Sequence, residues 1–154
     1  MFVYYFANVR RPCEVIGDRL IDLDLATWAT EAYRNAESLR SRLVGQDLVA
    51  SSVRLNVTEP IQKSNHTAMV IEWIADGPAG LFAALEGDLV VAPIGPNRCQ
   101  ISLRGSYRLP TGADPALFHR LTEACVKSFV DRIVAGLDQP PRLDDVRQVT
   151  GSKS

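Results

Sequence analysis

An α+β fold, with an antiparallel sheet lying against one long C-terminal helix, is predicted by three features of the chain. Runs between Ala68 and Leu109 alternate apolar and polar residues, residues from Asp114 to Leu137 carry two adjacent apolar ridges at helical spacing, and the connections between the strand runs are too short for crossovers. A sheet with one apolar face and a helix with a broad apolar stripe bury each other's surface, and such a pairing can enclose a pocket for an apolar ligand.

The bulk numbers fit this picture. At 154 residues, 46% hydrophobic and 23% charged, the chain reads as one soluble globular domain over residues 1–138, followed by a mobile polar tail over 139–154. A formal net charge of -1 gives no electrostatic case for nucleic acid or an anionic membrane. The uncharged run Met1 to Val9 is too short to span a bilayer and has no basic segment before it, so it reads as a strand.

The elements follow in order. Phe2 to Val9 is aromatic and β-branched, a strand ended by Arg10-Arg11-Pro12. Pro12 suits the first turn of a short helix through Leu20, since its missing N–H has no partner there anyway. A second helix is expected from Asp24 to Leu43, with Leu25, Trp28, Ala29, Ala32, Ala36, Leu39 and Leu43 at helical spacing and Glu31, Arg34, Glu37 and Arg40 between them; Gly45 would stop it. Val53, Leu55 and Val57 begin the sheet, and Glu59 to Asn65 reads as a polar turn. Thr67, Met69, Ile71, Trp73 and Ala75 share one strand face. After a turn at Gly77-Pro-Ala-Gly80, Leu85, Gly87, Leu89 and Val91 face inward. After a further turn at Pro93 to Asn97, so do Cys99, Ile101, Leu103, Gly105 and Tyr107. Asp114-Pro115 is an N-cap acid followed by proline at the first helical position. The ridges beyond it are Leu117, Leu121, Cys125, Phe129, Ile133, Leu137 and Phe118, Thr122, Val126, Val130, Val134, with His119, Glu123, Lys127 and Asp131 opposite them.

This order of elements, together with Glu72-Trp73, Gly77-Pro-Ala-Gly-Leu-Phe82, Leu89-Val-Val-Ala-Pro-Ile-Gly-Pro96 and Leu103-Arg-Gly-Ser-Tyr-Arg-Leu-Pro110, resembles the START-like or SRPBCC superfamily, and within it the bacterial polyketide cyclase/dehydrase-like group. The resemblance runs from about Val3 to Leu137. It implies the helix-grip fold, a curved antiparallel sheet wrapped around the C-terminal helix with two short helices after the first strand, and a ligand cavity between sheet and helix. It does not fix the chemistry, because fold and function are separable.

Chemistry on the residues themselves is sparse. No phosphate loop is present, and His66 and His119 stand apart from one another and from cysteine, so neither a metal nor any other cofactor is expected. Strand parity puts Glu72, Glu86 and Asp88 outward, leaving Thr67, Trp73, Cys99 and Tyr107 as the inward polar handles and no catalytic carboxylate pair or histidine from the strands. Tyr107 has two readings: a hydrogen bond to a ligand carbonyl or hydroxyl, or a filler of the sheet–helix junction with its hydroxyl on backbone. Cys13, Cys99 and Cys125 read as reduced, buried thiols, which makes a cytoplasmic location the default.

The leading expectation is a protein that binds a small apolar molecule, a lipid, polyketide, isoprenoid or aromatic, in a cavity walled by Met69, Ile71, Trp73, Leu89, Leu103, Tyr107, Leu121, Cys125 and Phe129. An aromatase/cyclase-like enzyme, with Tyr107 polarising a carbonyl of a polyketide, is the first alternative. The second is an interaction module whose cavity is filled by its own side chains. As partners, the reading expects no nucleic acid and no membrane span, and Val70 and Val90 on the outer sheet face suggest at most a weak homodimer.

Overall fold

The computed structural model describes residues 1–20, 22–44, 52–76, 84–109 and 112–138. Strand β1 (Phe2–Val9) leads into helices α1 (Cys13–Leu20) and α2 (Leu25–Val44). Strands β2 (Ser52–Val57), β3 (Ile61–Gln62), β4 (Thr67–Asp76), β5 (Ala84–Gly95) and β6 (Arg98–Tyr107) follow, and helix α3 (Pro115–Asp138) closes the order. All strand pairs are antiparallel, in the sheet order β1-β6-β5-β4-β2, with β3 on β4. The turns expected at Gly45 and at Gly77 to Gly80, and the tail over 139–154, lie outside the described residues.

The alternation read from the sequence is the alternation of burial. Met69, Ile71 and Trp73 on β4, Leu85, Leu89 and Val91 on β5, and Cys99, Ile101, Leu103 and Tyr107 on β6 are buried, and they meet Leu121, Cys125, Val126, Phe129, Val130, Ile133 and Leu137 of α3. Trp73 and Phe129 interlock with ring centroids 5.1 Å apart and planes tilted by 55°. Each large ridge residue stabilises this contact by about 1.5–3 kcal/mol. Asp114 caps α3 as expected, its Oδ1 accepting the N–H of Ala116 at 3.1 Å. The far end of α3 has no basic residue in its last turn. Arg19 of α1 donates instead to the carbonyls of Leu137 at 2.8 Å and Gly136 at 3.2 Å, and Arg11 donates to that of Asp138 at 2.9 Å.

Two glycines oppose each other across β5 and β6. A Cβ on Gly87 would stand 2.2 Å from the Arg104 carbonyl oxygen, and one on Gly105 would stand 2.8 Å from Leu85 Cδ2. Their absence lets the two backbones close up beneath α3.

Several expectations are corrected. Helix α2 has 20 residues, the length of the expected span, but a different face of it is buried. Its buried face runs through Leu25, Ala29, Ala32, Tyr33, Ala36, Glu37 and Arg40, while Leu39 and Leu43 are exposed. The helical period that starts at Leu25 arrives at residue 40, and the charges there hid it: Glu37 is buried near Cys125, and Arg40 lays its guanidinium over the Phe118 ring, 5.7 Å from the centroid. The polar turn before His66 contains the two-residue strand β3. Strand β5 runs on through Pro93 to Gly95, with a register irregularity where proline lacks its N–H.

The cysteine reading is also overturned. Cys13 and Cys99 form a disulfide, their Cα atoms 5.2 Å apart across 86 residues of sequence, and Cys125 is the buried free thiol. The start of α1 packs over the inward face of β6, a proximity that spacing in the sequence does not encode. With that bond present, the cysteines no longer argue for a reducing compartment. Among the described residues, no helix is long and apolar enough to cross a membrane.

Two stability predictions follow from this frame. Gly87→Ala drives a methyl group into backbone rather than into a yielding side chain, and should lower the unfolding free energy by at least about 2 kcal/mol in urea titration. The disulfide closes a loop of 86 residues. A Cys13→Ser/Cys99→Ser variant should therefore lose about 2–5 kcal/mol by the same measurement, with little change in far-ultraviolet circular dichroism.

Candidate functional site

Eight of the nine residues expected to wall a central cavity, from Ile71 to Phe129, are packed against one another in the sheet–helix core. Met69 is in that core too, and it also lines an open cavity of about 340 Å³ at the side of the molecule. This cavity lies between the α1–α2 connection and the strands β2 to β4. Leu20, Leu23, Leu25, Leu55 and Val57 provide apolar wall, Ala26 stands at the rim, and Asp24, Thr58 and Glu59 supply the polar groups.

Local chemistry fixes the polar groups. Asp24 is the N-cap of α2: its Oδ1 accepts the N–H of Thr27 at 3.2 Å and its Oδ2 accepts the Thr27 hydroxyl at 2.7 Å. Thr58 accepts the N–H of Val70 on its side-chain oxygen at 2.9 Å and donates its own N–H to the Val70 carbonyl at 3.0 Å. The mouth therefore presents an apolar bowl with carboxylates at its edge and, among the described residues, no basic group in its lining.

A second constellation sits where β6 meets the first turns of α3. The Tyr107 hydroxyl is hydrogen-bonded to Nδ1 of His119, and Nε2 of His119 pairs with Glu123 Oε1 at 2.7 Å. A neutral imidazole that accepts at Nδ1 and donates at Nε2 satisfies both bonds. Tyr107 is 3% exposed and the Glu123 side chain 55%, so the chain leads from the core to solvent. Burial pushes the Tyr107 phenol above its ordinary value of 10.0; a hydrogen bond with Thr122 pulls against this and the Glu123 charge adds to it. Such a chain can hold a proton at either end and relay it through the imidazole.

Sequence parity gave Tyr107 its inward direction but not its partner, and the hydroxyl goes to a side chain. His119 was expected on the helix face turned away from the sheet, and it belongs instead to the edge of the buried stripe. The signal available for it was the His119–Glu123 spacing of one helical turn. The cavity rim was missed because Asp24, Ala26, Thr58 and Glu59 come from two separate connections with no shared pattern.

No family model matches the chain, and no curated protein matches it by sequence. Among solved structures, a conserved protein from Geobacillus kaustophilus has a TM-score of 0.51 at 12% identity, over 89% of this chain and 95% of that one. The Zhui aromatase/cyclase from Streptomyces sp. R1128 has a TM-score of 0.49 at 11% identity, over 94% and 97%. Ara h 8.0201 has a TM-score of 0.49 at 9% identity, over 89% and 97%. These are likenesses of fold. The chain has the helix-grip fold that the START-like resemblance implied.

The site carries a pH signature. Tyr107 and Tyr5 are both raised above 10.0, Tyr5 by burial and then by its hydrogen bond to Asp131, and burial raises the Cys125 thiol well above 9.0. In each case the folded state favours the protonated form and the unfolded chain ionises first. This contribution is complete below about pH 9 and is lost as pH climbs through the folded values. Stability measured by urea should fall above that pH, and Tyr107→Phe should make the fall shallower.

Proposed function

We propose that this helix-grip protein binds a small apolar molecule in the side cavity, with Met69 forming the boundary between that cavity and the sheet–helix core. The observation that carries the reading is an apolar bowl of about 340 Å³ that opens to solvent and ends on the core residue Met69. That volume lies at the lower end of the range for small-molecule sites. Methionine is the least rigid residue to place at such a boundary, since its unbranched thioether re-packs around different shapes. Asp24 and Glu59 at the edge favour a ligand whose polar end donates hydrogen bonds, an alcohol or amine, and disfavour one that ends in a carboxylate.

Ala26→Trp fills the rim without touching the core, because Ala26 is exposed. It should weaken binding of an environment-sensitive apolar fluorophore at least about tenfold, roughly 1.4 kcal/mol, in a protein of unchanged circular dichroism. A medium-chain alcohol should displace the fluorophore more effectively than the matching fatty acid. Equal binding by the variant and the parent excludes this cavity as the site.

One observation favours a second reading, that of a cyclase-type catalyst. The Tyr107–His119–Glu123 chain supplies a proton donor and acceptor beside the core, where a polyketide carbonyl could be polarised and enolised. On this reading Tyr107→Phe and His119→Asn each lower turnover of a poly-β-ketone model substrate at least about tenfold.

A further inference from the structure

Strand β1 is at one end of the sheet, and among the described residues no strand pairs with its outer edge. An edge of this kind is normally blunted by charge, proline or a bulge. The eight residues Phe2–Val9 contain neither a charge nor a proline, and their register with β6 is unbroken. On the outward face of the same strand Phe2 is 79% exposed, Tyr4 51% and Phe6 48%. An uncharged, regular, aromatic edge is a surface for another strand.

We propose that the occupant is β1 of a second copy of this chain, added antiparallel about a two-fold axis through Tyr4. Residues directly opposite one another in an antiparallel pair share a sheet face, so the axis must pass through a residue and not between two. Centred on Tyr4, it sets Phe2 against the partner's Phe6 and Tyr4 against the partner's Tyr4. All six exposed aromatics then form one ladder on the outer face. Centred on Tyr5, it would set Phe2 against the partner's Asn8 and leave the ladder incomplete.

Charge complementarity on the inner face favours the same register. Helix α3 runs in the direction of β1: His119 lies beside Tyr107, whose N–H bonds Met1; Asp131 accepts the Tyr5 hydroxyl at 2.8 Å; and the Asp138 carbonyl accepts from Arg11. Lys127 precedes Asp131 by one helical turn, about 6 Å, which is close to two residues of strand and brings it level with Val3. In the Tyr4-centred dimer Tyr5 stands opposite the partner's Val3, so Asp131 faces the partner's Lys127 and Lys127 the partner's Asp131. Both side chains are exposed, and they line an open groove on α3 with Ala124, Ser128, Ala135 and Arg132, whose guanidinium is paired with Glu31. The interface is isologous and closes at two copies.

Sedimentation equilibrium of the full chain over a concentration series should give twice the chain mass. Tyr4→Lys, which opposes two like charges on the axis, should raise the dissociation constant at least about tenfold with circular dichroism unchanged. Phe6→Lys serves as the second charge variant should Tyr4→Lys not fold. Register is read by cross-linking under oxidation: Tyr4→Cys should link to itself, and Phe2→Cys should link to Phe6→Cys in a mixture but not to itself. A monomer at every concentration overturns the proposal and leaves the edge to a strand of a different protein. A dimer indifferent to the charge variants, or one in which Phe2→Cys links to itself, overturns it as well.

Discussion

Everything in this structure depends on α3 lying in the hollow of a sheet that must bend to receive it. The helix presents a stripe two ridges wide, and the sheet answers with inward residues from strands β1, β4, β5 and β6, with Trp73 against Phe129. A flat sheet could touch only part of that stripe. The facing glycines Gly87 and Gly105 remove the side chains that would hold β5 and β6 apart. Close packing then leaves little slack, since protein interiors tolerate neither voids nor excess atoms at low cost. One open cavity is found at the margin of this packed layer, where the helix pair α1–α2 meets β2 to β4.

This division of labour bears on how the fold takes up chemistry. A rigid core positions polar groups at its two rims. At one, carboxylates and a threonine surround the apolar bowl that ends on Met69. At the other, the inward strand residue Tyr107 meets the helix residues His119 and Glu123. Both sites combine strand or core residues of fixed direction with residues from a helix terminus or connection. The arrangement suits binding, because the fixed part sets orientation and the terminal part can adjust.

Much of the fold was legible in the sequence, since period-two runs and four-residue ridges report directly which face is buried. The inward parity of Met69 through Tyr107 and the cap at Asp114 needed nothing more. Features that join distant positions were not legible. The Cys13–Cys99 bond depends on where α1 crosses β6. The partner of Tyr107 depends on how far α3 rolls about its axis, and a roll of one residue separates an outward histidine from one at the junction. Glu37 and Arg40 misled for a related reason: a charge in the pattern was taken as a mark of solvent, although both are buried beside α3. The side cavity was invisible because its walls belong to elements that no local period connects.

The anchoring of the last helix by the first has a consequence in time. Arg11 and Arg19 hold the carbonyls that close α3, and among the described residues β1 pairs only with β6, so this segment finds its partners about a hundred residues further along the sequence. During synthesis from the N-terminus, an uncharged aromatic strand emerges roughly a hundred residues before the strand that will cover its inner edge. Contacts of such separation form late and slow the search for the native state. Strand β1 thus leaves the ribosome well before β6 and α3, and its uncharged aromatic face must be kept from other chains until they have arrived.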